Sequence, residues 1–199
     1  MKFNWRLAGL AAIAVATLAG CRPDFPATVG AGSSSAELQS AWWTWAASEP
    51  EETNPIADGD GSACDRNQPR GVWFLAGTFG GHAKRACTVP ASRPVVFPVV
   101  NSFGDRTDCA AFMISAYGTA FLDGKMLEPE TYEGESITVH SVRGNAVTGT
   151  EERITAIGCG LWVRLQSLAP GAHTLRIRGQ SGDFSTGVDY ALTVETPPT

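Results

Sequence analysis

A glycine-rich segment with three basic side chains best combines backbone access with chemistry in this sequence. Residues 77–85 read GTFGGHAKR and contain His82, Lys84 and Arg85. Glycines let a backbone approach another molecule closely, and the three side chains supply hydrogen-bond donors. We therefore take His82 and Arg85 as candidate ligand-binding residues. The alternative is a long hairpin tip that needs glycine only for its turn.

Tryptophans are the second group of candidate binding residues, because a flat indole can stack on a sugar and donate its N–H group. The chain contains six. Trp42, Trp45 and Trp73 fit core positions. Trp43 falls off the apolar stripe of its helix, and Trp162 alternates onto the polar side of its strand, so both are candidate ligand-binding residues. The alternative for Trp162 is packing under the N-terminal helix or against a neighbouring arginine.

The sequence contains no standard catalytic motif, neither a nucleophile elbow nor a zinc-protease, phosphate-binding or dinucleotide-binding pattern. Glycosidases work with two carboxylates and often show no motif. An enzyme acting on glycans would use acidic residues such as Asp105 and Asp108 near His82. The alternative is that Asp105 and Asp108 lie in a solvated loop held by a disulfide at Cys109. We assign no catalytic residue.

Neither the acidic turn nor the remaining histidines indicate a metal site. Residues 58–61 read DGDG, but Ala63 stands where an EF-hand needs glycine, so we expect an acidic turn leading to Cys64. His173 shares a strand face with apolar residues, which predicts a hydrogen-bonded core histidine. His140 is out of phase with its apolar neighbours and is expected to face solvent. We predict no metal and no other cofactor.

Four of the five cysteines form an even set, which in an exported protein predicts two disulfides. No two of them are close enough in sequence for the usual zinc spacing. Four cysteines allow three pairings, and we favour those in which each pair flanks expected strands. The expected pairs are Cys64 with Cys87 and Cys109 with Cys159.

The fifth cysteine, Cys21, ends the run LAGC, which resembles a bacterial lipobox. Lys2 and Arg6 form a basic start, and residues 7–19 form an apolar stretch that is too short to span a bilayer. The pattern predicts a signal peptide over residues 1–20 and a lipid-carrying Cys21 that binds the membrane. The alternative is an ordinary secretory signal in which a cysteine happens to follow the cleavage site.

Length and charge narrow the remaining classes of function. Cleavage before Cys21 leaves 179 of the 199 residues, enough for one domain with its own core. The formal charge of −5 becomes −7, and no basic run follows, which argues against a nucleic-acid partner. Arg22 stands where an aspartate is associated with inner-membrane retention, so it favours the outer membrane by resemblance.

The sequence predicts a mainly β fold, an antiparallel β-sandwich with one N-terminal α-helix. Residues 21–33 are rich in glycine and proline and are expected to form a flexible tether. Ser34 and Glu37 stand at capping-box spacing, so we expect a helix over about 35–48 and a single domain over 34–199. Short apolar runs, typical of strands, follow. Asp123-Gly124 between two of them is a hairpin signal, and Pro98 within another indicates an edge strand or a bulge.

Several short motifs resemble an uncharacterised family of exported bacterial proteins. They are WWxW (42–45), VWFLAG (72–77), RxCxVP (85–90) and PGxHTL (170–175). The resemblance spans nearly the whole mature chain. It implies secretion and a β-rich fold, and it carries no established activity or catalytic residue.

Together these patterns predict a lipid-anchored β-sandwich protein of the bacterial cell envelope with a binding or scaffolding role. Its expected partners are the membrane, through Cys21, and an envelope glycan or protein. The alternative is an envelope enzyme that hydrolyses glycans.

Overall fold

Two helices and nine strands make up the part of the chain that the computed structural model describes, residues 29–30 and 32–196. The helices are α1 (Ser35–Ala46) and α2 (Arg106–Ile114), and a short 3-10 helix covers Glu51–Thr53. The strands are β1 (Trp73–Phe74), β2 (Gly81–Pro90), β3 (Pro94–Gly104), β4 (Tyr117–Leu122), β5 (Lys125–Leu127), β6 (Glu130–Ser141), β7 (Glu152–Ser167), β8 (Gly171–Ser181) and β9 (Phe184–Glu195). The signal segment and Cys21 lie outside the described residues. Neither described helix is long and apolar enough to cross a membrane.

Two sheets pack face to face, which confirms the predicted β-sandwich with an N-terminal helix. One sheet has the strand order β1-β3-β7-β6, and the other has the order β2-β9-β8-β4-β5. Most pairs are antiparallel, but β1 pairs with β3 and β2 pairs with β9 in parallel. Parallel strands need a long connection, and the chain between β2 and β9 supplies one.

Helix α1 covers the outward face of the four-stranded sheet and adds a third layer to the sandwich. Ser34 and Glu37 form the predicted capping box, and the helix ends at Ala46, two residues earlier than expected. The indole of Trp42 meets Trp162 on β7 edge to face, with ring centroids 5.6 Å apart. Strand β3 is therefore buried on both faces, which explains its nearly continuous apolar sequence.

Side chains of α1 also satisfy the free edge of β6. The Ser40 hydroxyl accepts a hydrogen bond from the Thr138 amide at 3.1 Å, and the Thr44 hydroxyl accepts one from the His140 amide at 3.2 Å. Unpaired edge amides can recruit another strand, so these bonds block that side of the sheet. The His140 side chain is half-buried rather than fully in solvent.

Strand β3 agrees with the sequence expectation for Pro98, whereas helix α2 replaces an expected loop. Pro98 lies at a bulge between β3 and β7, one of its two predicted settings. The solvated loop expected around Asp105 and Asp108 is instead the start of α2. Asp105 accepts bonds from two amides of the first turn, and Asp108 bonds back to the Asp105 amide, so the pair forms a capping box.

Both disulfides join the cysteines that the sequence paired, Cys64 with Cys87 and Cys109 with Cys159. The first holds the loop around Gly61 against the outer edge of β2. There the Ala86 amide donates to the Asp60 carbonyl at 2.8 Å. A Cβ at Gly61, where φ is +98°, would lie 2.2 Å from the Ala86 oxygen, so only glycine allows this approach.

The start of the domain makes contacts before Ser34. Val29 is only 2% exposed, and the Ser33 carbonyl accepts a hydrogen bond from Arg164 at 2.7 Å. Both residues belong to the segment that the sequence assigned to a flexible tether. Packing against the domain therefore begins inside that segment.

His173 is hydrogen-bonded as the sequence predicted, but its side chain is partly exposed and does not belong to the core. Its Nδ1 lies 2.7 Å from a carboxylate oxygen of Asp123, in the predicted Asp123-Gly124 hairpin turn, and its Nε2 lies 2.8 Å from the Ala169 carbonyl. The bond to Asp123 and then the Ala169 carbonyl raise the pKa of His173. The Thr174 amide and then His173 lower the pKa of Asp123.

This pair predicts a pH-dependent contribution to stability. The raised pKa of His173 stabilises the fold below the ordinary histidine pKa of about 6.5, and the lowered pKa of Asp123 does so above the ordinary aspartate pKa of about 3.9. We expect His173→Gln to lower the free energy of unfolding by at most about 1 kcal/mol between these values. The difference from wild type shrinks as pH rises through the folded pKa of His173. Denaturant unfolding from pH 5 to pH 9 measures it, and a pH-independent difference would contradict the assignment.

Candidate functional site

The outward face of the five-stranded sheet, called here the open face, is covered by no helix of the described residues. One row of neighbouring side chains crosses all five strands of this face, and we call it the cross-strand row. Its members, from β2 to β5, are Lys84, Asp189, Arg176, Phe121 and Met126. On the opposite face of the same strands, Leu175, Ile177 and Val188 pack into the core. Strand alternation therefore separates a charged surface from the core.

Asp189 is the centre of the charge cluster on this face. Its Oδ1 lies 2.6 Å from an Arg178 guanidinium nitrogen and 3.5 Å from Arg176, and its Oδ2 lies 3.4 Å from the His82 ring. Partial burial opposes ionisation, but the Arg178 hydrogen bond and the surrounding positive charges outweigh it and lower the pKa of Asp189. One carboxylate is thus shared by three basic side chains.

Gly187 makes room for this cluster on β9. A Cβ at this position would lie 3.0 Å from the His82 ring and 3.2 Å from the Arg178 side chain. The two basic side chains, from β2 and β8, can therefore lie over β9 from either side. They border a second hollow of about 470 Å³, which also contacts Tyr117.

The main concavity of the open face is a hollow of about 850 Å³ beside the cross-strand row. Small side chains of Ala86, Ala191 and Thr174 form its floor, because they are neighbours in the register of β2, β9 and β8. Asp60 lies at one side, and Gly124 of the hairpin turn lies at the other. A volume of this size suits a small ligand, and the basic side chains of the row can bind a negative group on it.

The structure places His82 on this face, in a strand and not at a loop tip. β2 begins at Gly81, so the bend lies just before the strand, at Phe79 and Gly80, and both Gly80 and Gly81 have positive φ. The His82 side chain is 41% exposed and faces Asp189. Of the predicted binding residues, His82 is the one that the structure brings to the open face.

Arg85, the other candidate in this segment, points the opposite way and is 2% exposed. Its guanidinium donates to four backbone carbonyls and one hydroxyl, so it is saturated by the protein itself. The acceptors are Ile56, Asp58, Ala76 and Gly77, through their carbonyls, and the Tyr190 hydroxyl, at 2.7–3.1 Å. Its expected role as an accessible donor is wrong, because the β2 alternation turns residue 85 inward.

Both candidate tryptophans are buried as well, so the expectation that they face a ligand is wrong. Trp162 is fully buried under α1, against Trp42, which was the alternative considered for it. Trp43 is 7% exposed and packs on Phe103, with ring centroids 4.6 Å apart. Loops and strands cover most of the surface of α1. The prediction of one apolar stripe and one exposed side was therefore wrong for this helix.

The acidic residues proposed for catalysis or metal binding have structural partners. Asp105 and Asp108 cap α2, whereas His82 lies on β2 against Asp189. Asp58 accepts bonds from three amides of the expected acidic turn, including that of Ala63. Residues 29–30 and 32–196 contain no cluster of three or more side chains suited to a metal ion.

The sequence patterns did not identify Arg176, Arg178 and Asp189 as site residues. Alternation placed them on the polar sides of their strands, but the same is true of many exposed residues. The signal that selects them is the parallel pairing of β2 with β9, which sets Lys84 beside Asp189 across 105 positions of sequence.

The different environments of Arg85 and His82 predict opposite results for two substitutions. Arg85→Ala leaves several buried carbonyls without a donor, so we expect the free energy of unfolding to fall by at least about 3 kcal/mol. His82→Ala removes an exposed side chain, and we expect a change within about 0.5 kcal/mol. Thermal and denaturant unfolding of the two variants measure this. Equal stabilities would contradict the structural role of Arg85.

In comparisons with known proteins, no family model, no curated protein and no solved structure matches the chain. The site is therefore assigned from its own geometry.

Proposed function

We propose that the chain is a lipid-anchored, non-enzymatic binding protein of the bacterial cell envelope, held in the outer membrane through Cys21. The lipobox-like run before Cys21 and the resemblance to exported bacterial proteins support the location. Two disulfides suit an oxidising compartment.

The observation that carries the binding role is the hollow on the open face. Helix α1 covers the other sheet, whereas this sheet presents a concavity of ligand size lined by charged and small side chains. Such a surface on rigid strands can hold a ligand without rearrangement.

The carboxylates of the open face favour binding over glycan hydrolysis. A glycosidase needs one carboxyl group with a raised pKa to act as the general acid. The pKa of Asp189 is instead lowered, against partial burial, by the bond from Arg178 and nearby positive charges. The pKa of Asp60 is also lowered, chiefly by the Ser62 amide. Both groups stay ionised at neutral pH.

The lipid anchor is tested by Cys21→Ser. Without the thiol no acyl chain can be attached, so we expect the variant to move from the membrane fraction to the soluble fraction of the periplasm. Fractionation and immunoblotting measure the distribution. A variant that stays in the membrane fraction would contradict the anchor.

The location of the binding surface is tested by Ala191→Trp, which fills the floor of the hollow without changing charge. The experiment uses the mature chain with Cys21→Ser and envelopes isolated from cells that lack the protein. We expect the tryptophan to weaken cosedimentation with envelopes about tenfold, equivalent to about 1.4 kcal/mol.

Ala110→Trp is the matched control, because Ala110 is exposed on α2, away from the open face. We expect it to bind envelopes as the parent protein does. Equal binding by both variants would contradict the open face as the binding surface, and no binding by the parent protein would contradict the binding role.

A further inference from the structure

We infer that the open face binds an anionic glycan, whose negative group lies in the hollow within reach of Lys84 and Arg176 and whose sugar ring lies against Phe121. The inference rests on the proposed function for the surface and adds the chemical class of the ligand. It is carried by the charge, the shape and the side-chain composition of the hollow.

The charge of the open face is complementary to an anion. The open face carries four basic side chains, Lys84, Arg176, Arg178 and His82, and two carboxylates, those of Asp189 and Asp60. The chain as a whole has a formal charge of −5, whereas basic side chains outnumber acidic ones on the open face. An excess of basic side chains on a surface attracts negative ligands.

Lys84 and Arg176 are not fully engaged by Asp189 and can still bind a ligand. Arg178 is engaged with Asp189 at 2.6 Å, whereas Arg176 approaches the same oxygen only to 3.5 Å and its side chain is 65% exposed. Lys84 forms no ion pair with any carboxylate of the described residues. Lys84 and Arg176 flank Asp189 in the cross-strand row and border the 850 Å³ hollow. An anion in the hollow can therefore reach both.

The rest of the lining suits a sugar better than a bare ion. Phe121 follows Arg176 in the row, and the floor is made of Ala86 and Ala191. A sugar ring has apolar C–H faces and polar edges, so it can lie on the phenyl ring and the alanines while its charged group meets the cations. The hollow also has the volume of a small-ligand site, which favours a short stretch of glycan over a flat macromolecular surface.

The charge of the glycan can come from carboxylates or from phosphates, and calorimetric titration with three probes distinguishes the sources. The probes are tetragalacturonate, glucose 6-phosphate and neutral maltotetraose, and the protein is the mature chain with Cys21→Ser. We expect at least one charged probe to bind about tenfold more tightly than maltotetraose. Tightest binding of tetragalacturonate assigns the charge to carboxylates, and tightest binding of glucose 6-phosphate assigns it to phosphates.

Substitutions on the open face then locate the anion. We expect Lys84→Gln and Arg176→Gln each to weaken binding of the charged probe about threefold to fivefold, as exposed charge pairs do. Asp189→Asn removes the competing negative charge and keeps the shape, so we expect binding to tighten about threefold. Arg153→Gln on β7 and Asp65→Asn in a loop are the matched controls, and we expect neither to change the affinity, since both residues are exposed elsewhere.

Several outcomes would overturn the inference. They are equal binding of charged and neutral probes, no binding of any probe, or open-face variants that behave as their controls do. If envelope binding remains sensitive to Ala191→Trp in those cases, the proposed function stands and only the ligand class fails. If Ala191→Trp has no effect on envelope binding, the surface itself is wrong.

Discussion

The hydrogen bonds of the buried Arg85 guanidinium hold the loops that border the open face. A buried charge is tolerated only when its hydrogen-bonding groups are satisfied, and here the acceptors come from two separate loops and from Tyr190 on β9. Because these acceptors are backbone carbonyls, the loops must keep one conformation. The loop before Cys64 is thereby fixed beside β2, and Asp60 is fixed at the side of the hollow.

The layering of the molecule decides which surface is left for a ligand. Helix α1 contributes three tryptophans to the outer side of the four-stranded sheet, so that sheet is buried on both faces over β3. Nothing equivalent in the described residues covers the five-stranded sheet. Its strands consequently alternate between core residues and polar ones, and the polar side collects the charges of β2, β8 and β9.

Local signals in the sequence predicted much of the fold, and pairing between distant strands limited the prediction of the site. The capping box at Ser34 and the turn at Asp123-Gly124 are short-range patterns, and both were identified correctly. The capping box at Asp105 has the same spacing but was interpreted as a loop. Arg85 was misplaced because neighbouring glycines suggested a loop, whereas β2 begins at Gly81 and turns residue 85 inward. No local pattern reveals the register that brings β2 beside β9.

The covering of the β6 and β2 edges has a consequence at high protein concentration. Bare strand edges can join copies of a protein into aggregates when the copies are concentrated. In this chain the hydroxyls of Ser40 and Thr44 occupy amides at the β6 edge, and the loop at Gly61 lies along the β2 edge. At these two edges a neighbouring molecule meets side chains or a loop and not a free strand, which disfavours growth of a sheet from one molecule into the next.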